Sequence, residues 1–169
     1  MNTNKLLAIV IFILGITSAS YSQTTATATA TATVVTPITI TKTADMSFGN
    51  IAVQAGTGGT VILAPAGTRT STSGVTLPAT TGTVTAATFQ VDGTGSYTYA
   101  ITLPSTATLT RASGSETMTA GSFTSNPSGT GTLSSGTQNI SVGATLTVAA
   151  AQVAGVYTSG NFSVTVNYN

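Results

Sequence analysis

A chain of 169 residues is long enough for one domain and an extension. It has seven charged residues and no Cys, His or Trp, which excludes a disulfide framework, a Ser/His/Asp relay and an ordinary His/Cys zinc site. Threonine, which is β-branched and strand-favouring, occurs 39 times, whereas the helix formers Leu, Lys, Glu and Arg are scarce; the expected fold is all-β.

At the amino end, Lys5 precedes an apolar run from Leu6 to Ile16, followed by Thr17, Ser18, Ala19, Ser20, Tyr21 and Ser22. This is the pattern of a secretory signal peptide over residues 1–22, with cleavage expected after Ser22. The run is short for a membrane-spanning helix, so no transmembrane segment is expected in the mature chain. Beyond it, Lys42, Arg69 and Arg111 balance Asp45, Asp92 and Glu116. A neutral surface cannot make the row of phosphate contacts that nucleic acids require, and it has no polybasic patch for a membrane. The expected location is the periplasm, the cell surface or an extracellular filament.

From Thr25 the chain alternates Thr with apolar residues. Ala26, Ala28, Ala30, Ala32, Val34, Ile38 and Ile40 occupy one face, and Thr27, Thr29, Thr31, Thr33, Thr39 and Thr41 the other. Fully extended at about 3.3 Å per residue, this stretch would reach roughly 60 Å, far more than one strand needs. It is therefore divided into a Thr/Ala-rich extension, residues 23–36, and a first strand near residues 38–43 that opens a domain over residues 37–169.

Further strands are expected at residues 60–64, around Val75 and Leu77, and at residues 83–91. In the last of these the inward phase slips from Val84 and Ala86 to Phe89 and Val91, as a bulge requires. Asp92-Gly93-Thr94-Gly95 reads as a hairpin loop, leading to Tyr97, Tyr99, Ile101 and Leu103 as alternating core positions. Leu109 and Met118 mark two strands joined near Ala112-Ser113-Gly114, with Phe123 closing the second. Residues 125–136 read as loop. Ile140, Val142, Ala144, Leu146 and Val148 form a strand interrupted by Gly143, and residues 152–160 connect it to a final strand in which Phe162, Val164, Val166 and Tyr168 alternate with polar residues. About seven or eight short strands with Gly-rich turns describe a β-sandwich.

Chemistry is sparse. Lys42 would be the lysine of any Ser/Lys dyad; Asp45, Asp92 and Glu116 are far apart in sequence, and although two of them could meet as a glycosidase pair, Asp92 is accounted for by its Asp-Gly turn and Glu116 by a hairpin position. The glycine-rich stretches around Gly56 and Gly129 lack the Lys-Ser/Thr of a phosphate loop. Asn139-Ile140-Ser141 and Asn161-Phe162-Ser163 match a glycosylation acceptor pattern, yet each stands at the start of a predicted strand. No catalytic residue, metal ligand or cofactor is expected.

At the carboxyl end, Tyr168 is penultimate and Gly155 stands fourteen residues before the last residue, beside Phe162, Val164 and Val166. This arrangement resembles the final strand of chaperone–usher pilin subunits. Over most of the chain, Phe48-Gly49-Asn50-Ile51, Gly59-Thr60-Val61, Phe89-Gln90-Val91-Asp92-Gly93, Val142-Gly143-Ala144-Thr145-Leu146 and Gly155-Val156-Tyr157 resemble the bacterial domain of unknown function 4402. That second resemblance implies a secreted β-sandwich and no established activity.

The pilin resemblance implies an immunoglobulin-like sandwich completed by a strand from the next subunit. Ala26, Ala28, Ala30, Ala32, Val34, Ile38 and Ile40 are then candidate donor or first-strand residues, and Gly155, Phe162, Val164, Val166 and Tyr168 the candidate acceptor edge. The expected function is that of a non-enzymatic subunit of a surface filament or adhesive layer, with self-association or related subunits and a periplasmic chaperone as partners. The alternative is a monomeric extracellular binding module for glycans, which predicts an exposed aromatic platform.

Overall fold

The computed structural model describes residues 22–169; the expected signal peptide lies, apart from Ser22, outside the described residues. The chain divides after Val34 into two units. Residues 22–34 form no strand, and Val34 is 96% exposed. The unit from Val35 to Asn169 contains the strands.

In chain order these are β1 (Thr39–Ala44), β2 (Ser47–Phe48), β3 (Ala52–Val53), β4 (Gly59–Leu63) and β5 (Arg69–Ser73). Next come β6 (Val75–Thr76), β7 (Val84–Thr85), β8 (Ala87–Asp92), β9 (Thr98–Thr102) and β10 (Thr106–Arg111). The last five are β11 (Thr117–Asn126), β12 (Thr130–Thr132), β13 (Thr137–Val148), β14 (Tyr157–Ser159) and β15 (Thr165–Tyr168). The protein is all-β, but the seven or eight expected strands are cut into fifteen segments because several change partners along their length.

The large sheet runs β1-β8-β13-β11-β10-β14, with β4 and β5 forming a branch. β13 is the branch point. Along one flank it pairs with β8 through residues 137–142 and then with β4 through residues 144–148, while β11 covers the other flank. Gly143 sits at the changeover, where a Cβ would lie 2.1 Å from the Leu63 carbonyl oxygen. Two neighbouring strands can share one flank there because the departing main chain of β4 passes directly over a residue without a side chain. The second sheet is β12-β9-β15, and the pairs β2-β7 and β3-β6 complete the strands.

Alternation places the apolar residues inside. One cluster joins Phe89 and Val91 of β8, Tyr99 and Ile101 of β9, Ile140 and Val142 of β13, Leu133, Val164 and Val166. The other joins Val61 and Leu63 of β4, Leu146 and Val148 of β13, Ala120, Phe48 and Val75. Met46 and Phe123 pack against both clusters. Each fully buried Val, Leu or Ile contributes roughly 1.5–3 kcal/mol of hydrophobic stabilisation before conformational entropy is subtracted.

Threonines cover the opposite face of the branch. The register sets Thr108, Thr119, Thr147, Thr60 and Thr72 side by side on adjacent strands, and the Thr60 and Thr72 hydroxyls lie 2.8 Å apart. Cross-strand threonine pairs favour the extended backbone and keep a sheet face wettable without charge.

Several sequence expectations change. The 92–95 loop is not a hairpin, because β8 lies in the large sheet and β9 in the small one. The 83–91 stretch is two strands in different sheets, β7 and β8, broken at Ala86; the phase slip marks a crossing. Residues 125–136 contain β12, whose glycine and threonines pair with β9 despite their loop-like composition. β5, with its RTSTS sequence, has no apolar alternation to reveal it. Tyr97, expected in the core, is 49% exposed because it precedes β9 in the crossing loop.

Candidate functional site

The carboxyl-terminal strand changes sheets. Its first part, β14, pairs with β10 through Leu109↔Ser159, Thr110↔Thr158 and Arg111↔Tyr157. Its second, β15, pairs with β9 from Thr165↔Thr102 to Tyr168↔Tyr99. Gly155 precedes β14 and packs against the Arg111 side chain, so the expected acceptor residues are not on one continuous strand. Val164 and Val166 are buried in the first cluster, with Phe162 and Tyr168 packed against it.

β15 is an edge strand. The Asn169 N–H donates to the Thr98 oxygen, so by alternation the main-chain groups of Thr165 and Asn167 face β9 and those of Val166 and Tyr168 face away from it. β1 is likewise an edge strand, of the other sheet. Ile38 and Ile40 pack from this side against the same cluster as Val164, Val166 and Tyr168. Ile40 on β1 and Ile38 just before it thus pack, half-buried, against the core of their own domain. Ala26, Ala28, Ala30, Ala32 and Val34 are exposed and outside any strand.

The ends of the two edge strands are tied by Tyr168. Its hydroxyl accepts from the Thr94 N–H at 2.8 Å and donates to the Thr36 carbonyl at 3.1 Å. The Thr36 N–H in turn donates to Thr94 Oγ1 at 3.0 Å. Gly93 makes this approach possible, because a Cβ there would meet the Tyr168 oxygen at 2.2 Å. The Tyr97 ring lies against Tyr168, centroids 5.7 Å apart.

Every charged residue beyond the signal peptide has a local partner. Lys42 pairs with Asp45 at 2.6 Å on the exposed surface, where such pairs contribute little. Arg69 donates to the main-chain oxygens of Phe48, Asn50 and Thr81, fastening the loops around β2. Asp92 accepts from the Gln90 amide at 3.0 Å. Glu116 receives Arg111 through two bonds, Nε at 2.6 Å and Nη2 at 3.1 Å. This fork holds the Glu116 carboxyl below its ordinary value and raises the Arg111 guanidinium. Asp45, Asp92 and Glu116 do not converge, and no cluster of three metal-ligating side chains occurs among the described residues.

Buried polar groups also have structural partners. Tyr99, fully buried, donates to Gln138 Oε1 at 2.6 Å, and its hydroxyl pKa is raised by burial. Tyr157, which sequence alone leaves unplaced, donates to the Val153 oxygen at 2.6 Å and accepts from Gln152 Nε2 at 2.9 Å. The Tyr157 bond locks the turn before β14, as a tyrosine corner does in Greek-key sandwiches.

The fold and its edges define an all-β sandwich domain whose charged side chains have local partners. The model of the family described as Domain of unknown function (DUF4402) matches residues 38–168, and the chain belongs to that family. The curated proteins contain no match to this chain. No helix among the described residues is long and apolar enough to cross a membrane.

Proposed function

We propose that this protein is a secreted, non-enzymatic structural subunit of a surface filament or adhesive layer, and that copies join by strand addition. Within the extension of residues 23–36, the part before Thr36, whose own main chain stays tied to Thr94 and Tyr168, pairs with the outer flank of β15 in the next copy, alongside β1. The observation that carries this reading is the edge position of β15, with the main chain of Val166 and Tyr168 directed away from β9. An unpaired strand edge accepts an extended segment through main-chain hydrogen bonds, and the extension has the period-2 pattern to supply one. Its alanines bury less surface than the large residues typical of donor strands, so main-chain pairing carries most of the contact. Such a head-to-tail contact propagates into a filament, with a periplasmic chaperone covering the edge before assembly.

The test is the oligomeric state of the mature chain, with and without residues 23–36, by light scattering and negative-stain microscopy. Ladders or filaments that vanish on truncation and return when a peptide of residues 23–36 is supplied in trans support strand addition. Monomers from both forms, in the presence of the cognate chaperone as well as alone, refute it. A second reading, a monomeric glycan-binding module, is favoured by the half-exposed Tyr97 ring.

A further inference from the structure

Between its two paired stretches the carboxyl-terminal strand separates from the chain it follows. Pairing ends at Leu109↔Ser159 in the large sheet and resumes at Thr102↔Thr165 in the small one, leaving residues 103–108 opposite the shorter stretch 160–164. Pro104 stands in this gap with no N–H to offer a ladder. The opening is a pocket of about 460 Å³ lined by Pro104, Thr106, Ala107 and Thr108 on one side and residues 159–163 on the other. It is closed at both ends by strand pairing, so it cannot receive a long added strand.

The groups around it have one chemistry. The Ala112 N–H donates to the Val156 oxygen, and alternation along β10 turns the main-chain groups of Thr108 and Thr106 toward the same flank, beyond the last pair with β14. The hydroxyls of Thr106, Thr108, Ser159 and Ser163 can each donate and accept, as can the Asn161 amide. No lining residue is charged. Phe162 also borders the opening, while its ring packs inward against Phe123, centroids 5.3 Å apart. Asn161 lies outside any strand and is exposed.

We infer that this pocket is a binding site for one unit of a neutral saccharide. Each sugar hydroxyl is both donor and acceptor and matches side chains of the same kind. The groove is open to solvent, and its volume of about 460 Å³ has room for one pyranose ring. A phosphate or carboxylate ligand would find no cation there. The inference is independent of strand addition, because the pocket lies wholly within residues 104–163 of one copy.

The test is saturation-transfer NMR on the full chain with methyl α-glucoside, methyl α-mannoside, methyl β-galactoside and N-acetylglucosamine, with glycerol as the small-polyol control. The expected result is transfer to at least one pyranoside and not to glycerol. Affinity should fall about tenfold or more in Asn161→Ala and in Thr108→Val, each removing hydrogen bonds worth roughly 1.4 kcal/mol together. Thr72→Val, on β5, should bind as the parent does. Both pocket positions are exposed, and thermal melts confirm that the variants are folded. Transfer to none of the four sugars, equal transfer to glycerol, or undiminished binding in both pocket variants overturns the inference.

Discussion

The Tyr168 hydroxyl, one residue from the carboxyl end, donates to the carbonyl of Thr36 at 3.1 Å, 132 positions earlier in the chain. This bond joins the start of the first strand to the end of the last, and the same oxygen accepts from the Thr94 N–H in the loop that crosses between the sheets. One phenol therefore closes three segments that sequence separates.

Replacing that phenol tests the closure. Tyr168→Phe keeps the ring against Tyr97 and removes both hydroxyl bonds, and it should cost about 1 kcal/mol. A lower urea midpoint with an unchanged slope would show it. An unchanged midpoint would mean that water replaces both bonds without loss.

Gly143 should tolerate no side chain. Gly143→Ala places a methyl group against the Leu63 carbonyl and the peptide that follows, forcing β4 and β8 apart on the shared flank of β13. The expected loss is roughly 1–3 kcal/mol, the range for overpacking a fixed interior. Denaturant unfolding reads it directly, with Gly67→Ala, where a Cβ meets nothing within 4 Å, as a comparison dominated by its positive φ.

The Tyr157 hydroxyl anchors the turn into β14 through Val153 and Gln152. Tyr157→Phe should destabilise by about 1 kcal/mol and speed amide exchange in residues 153–159 more than in β13. Uniform acceleration across the domain would contradict a local role.

Acid should weaken the fold through Glu116. Its carboxyl is held below the ordinary value of 4.5, first by the Arg111 hydrogen bond and then by main-chain bonds. A depressed acid stabilises the folded state above its unfolded pKa, and that stability is lost as pH falls through the lower folded value. Glu116→Gln should therefore flatten the acid limb of the stability profile while lowering its plateau. With no histidine in the chain, the wild-type profile should be level between about pH 6 and 8.

The pattern of side chains carried much of the fold. Alternation marked β1, β13 and β15, and the phase slip near Ala86, read as a bulge within one strand, coincides with the break between β7 and β8. Ile38 and Ile40 already read as donor or first-strand residues, and Val164 and Val166 as inward-facing. β5 and β12 escaped notice because threonine, serine and glycine carry no apolar period, and their strand character comes from the neighbours that pair with them.

The candidate sites were legible to different degrees. The edge at Val166 and Tyr168 lies within a recognisable terminal strand, but the pocket beside Thr108 and Asn161 does not. Its sequence signals, a proline at 104 and a glycine at 160, are common turn signals until the register places them opposite one another.

What the amino-acid sequence by itself determined was the all-β class, the inward face of the principal strands and the absence of a His- or Cys-based catalytic or metal centre, because these follow from composition and from the two-residue period of an extended chain. Which strand belongs to which sheet, the branch at Gly143 and the parting of residues 103–108 from 160–164 were decided only by tertiary structure. Main-chain groups are alike at every residue, and their partners are fixed by the packing of segments distant in sequence.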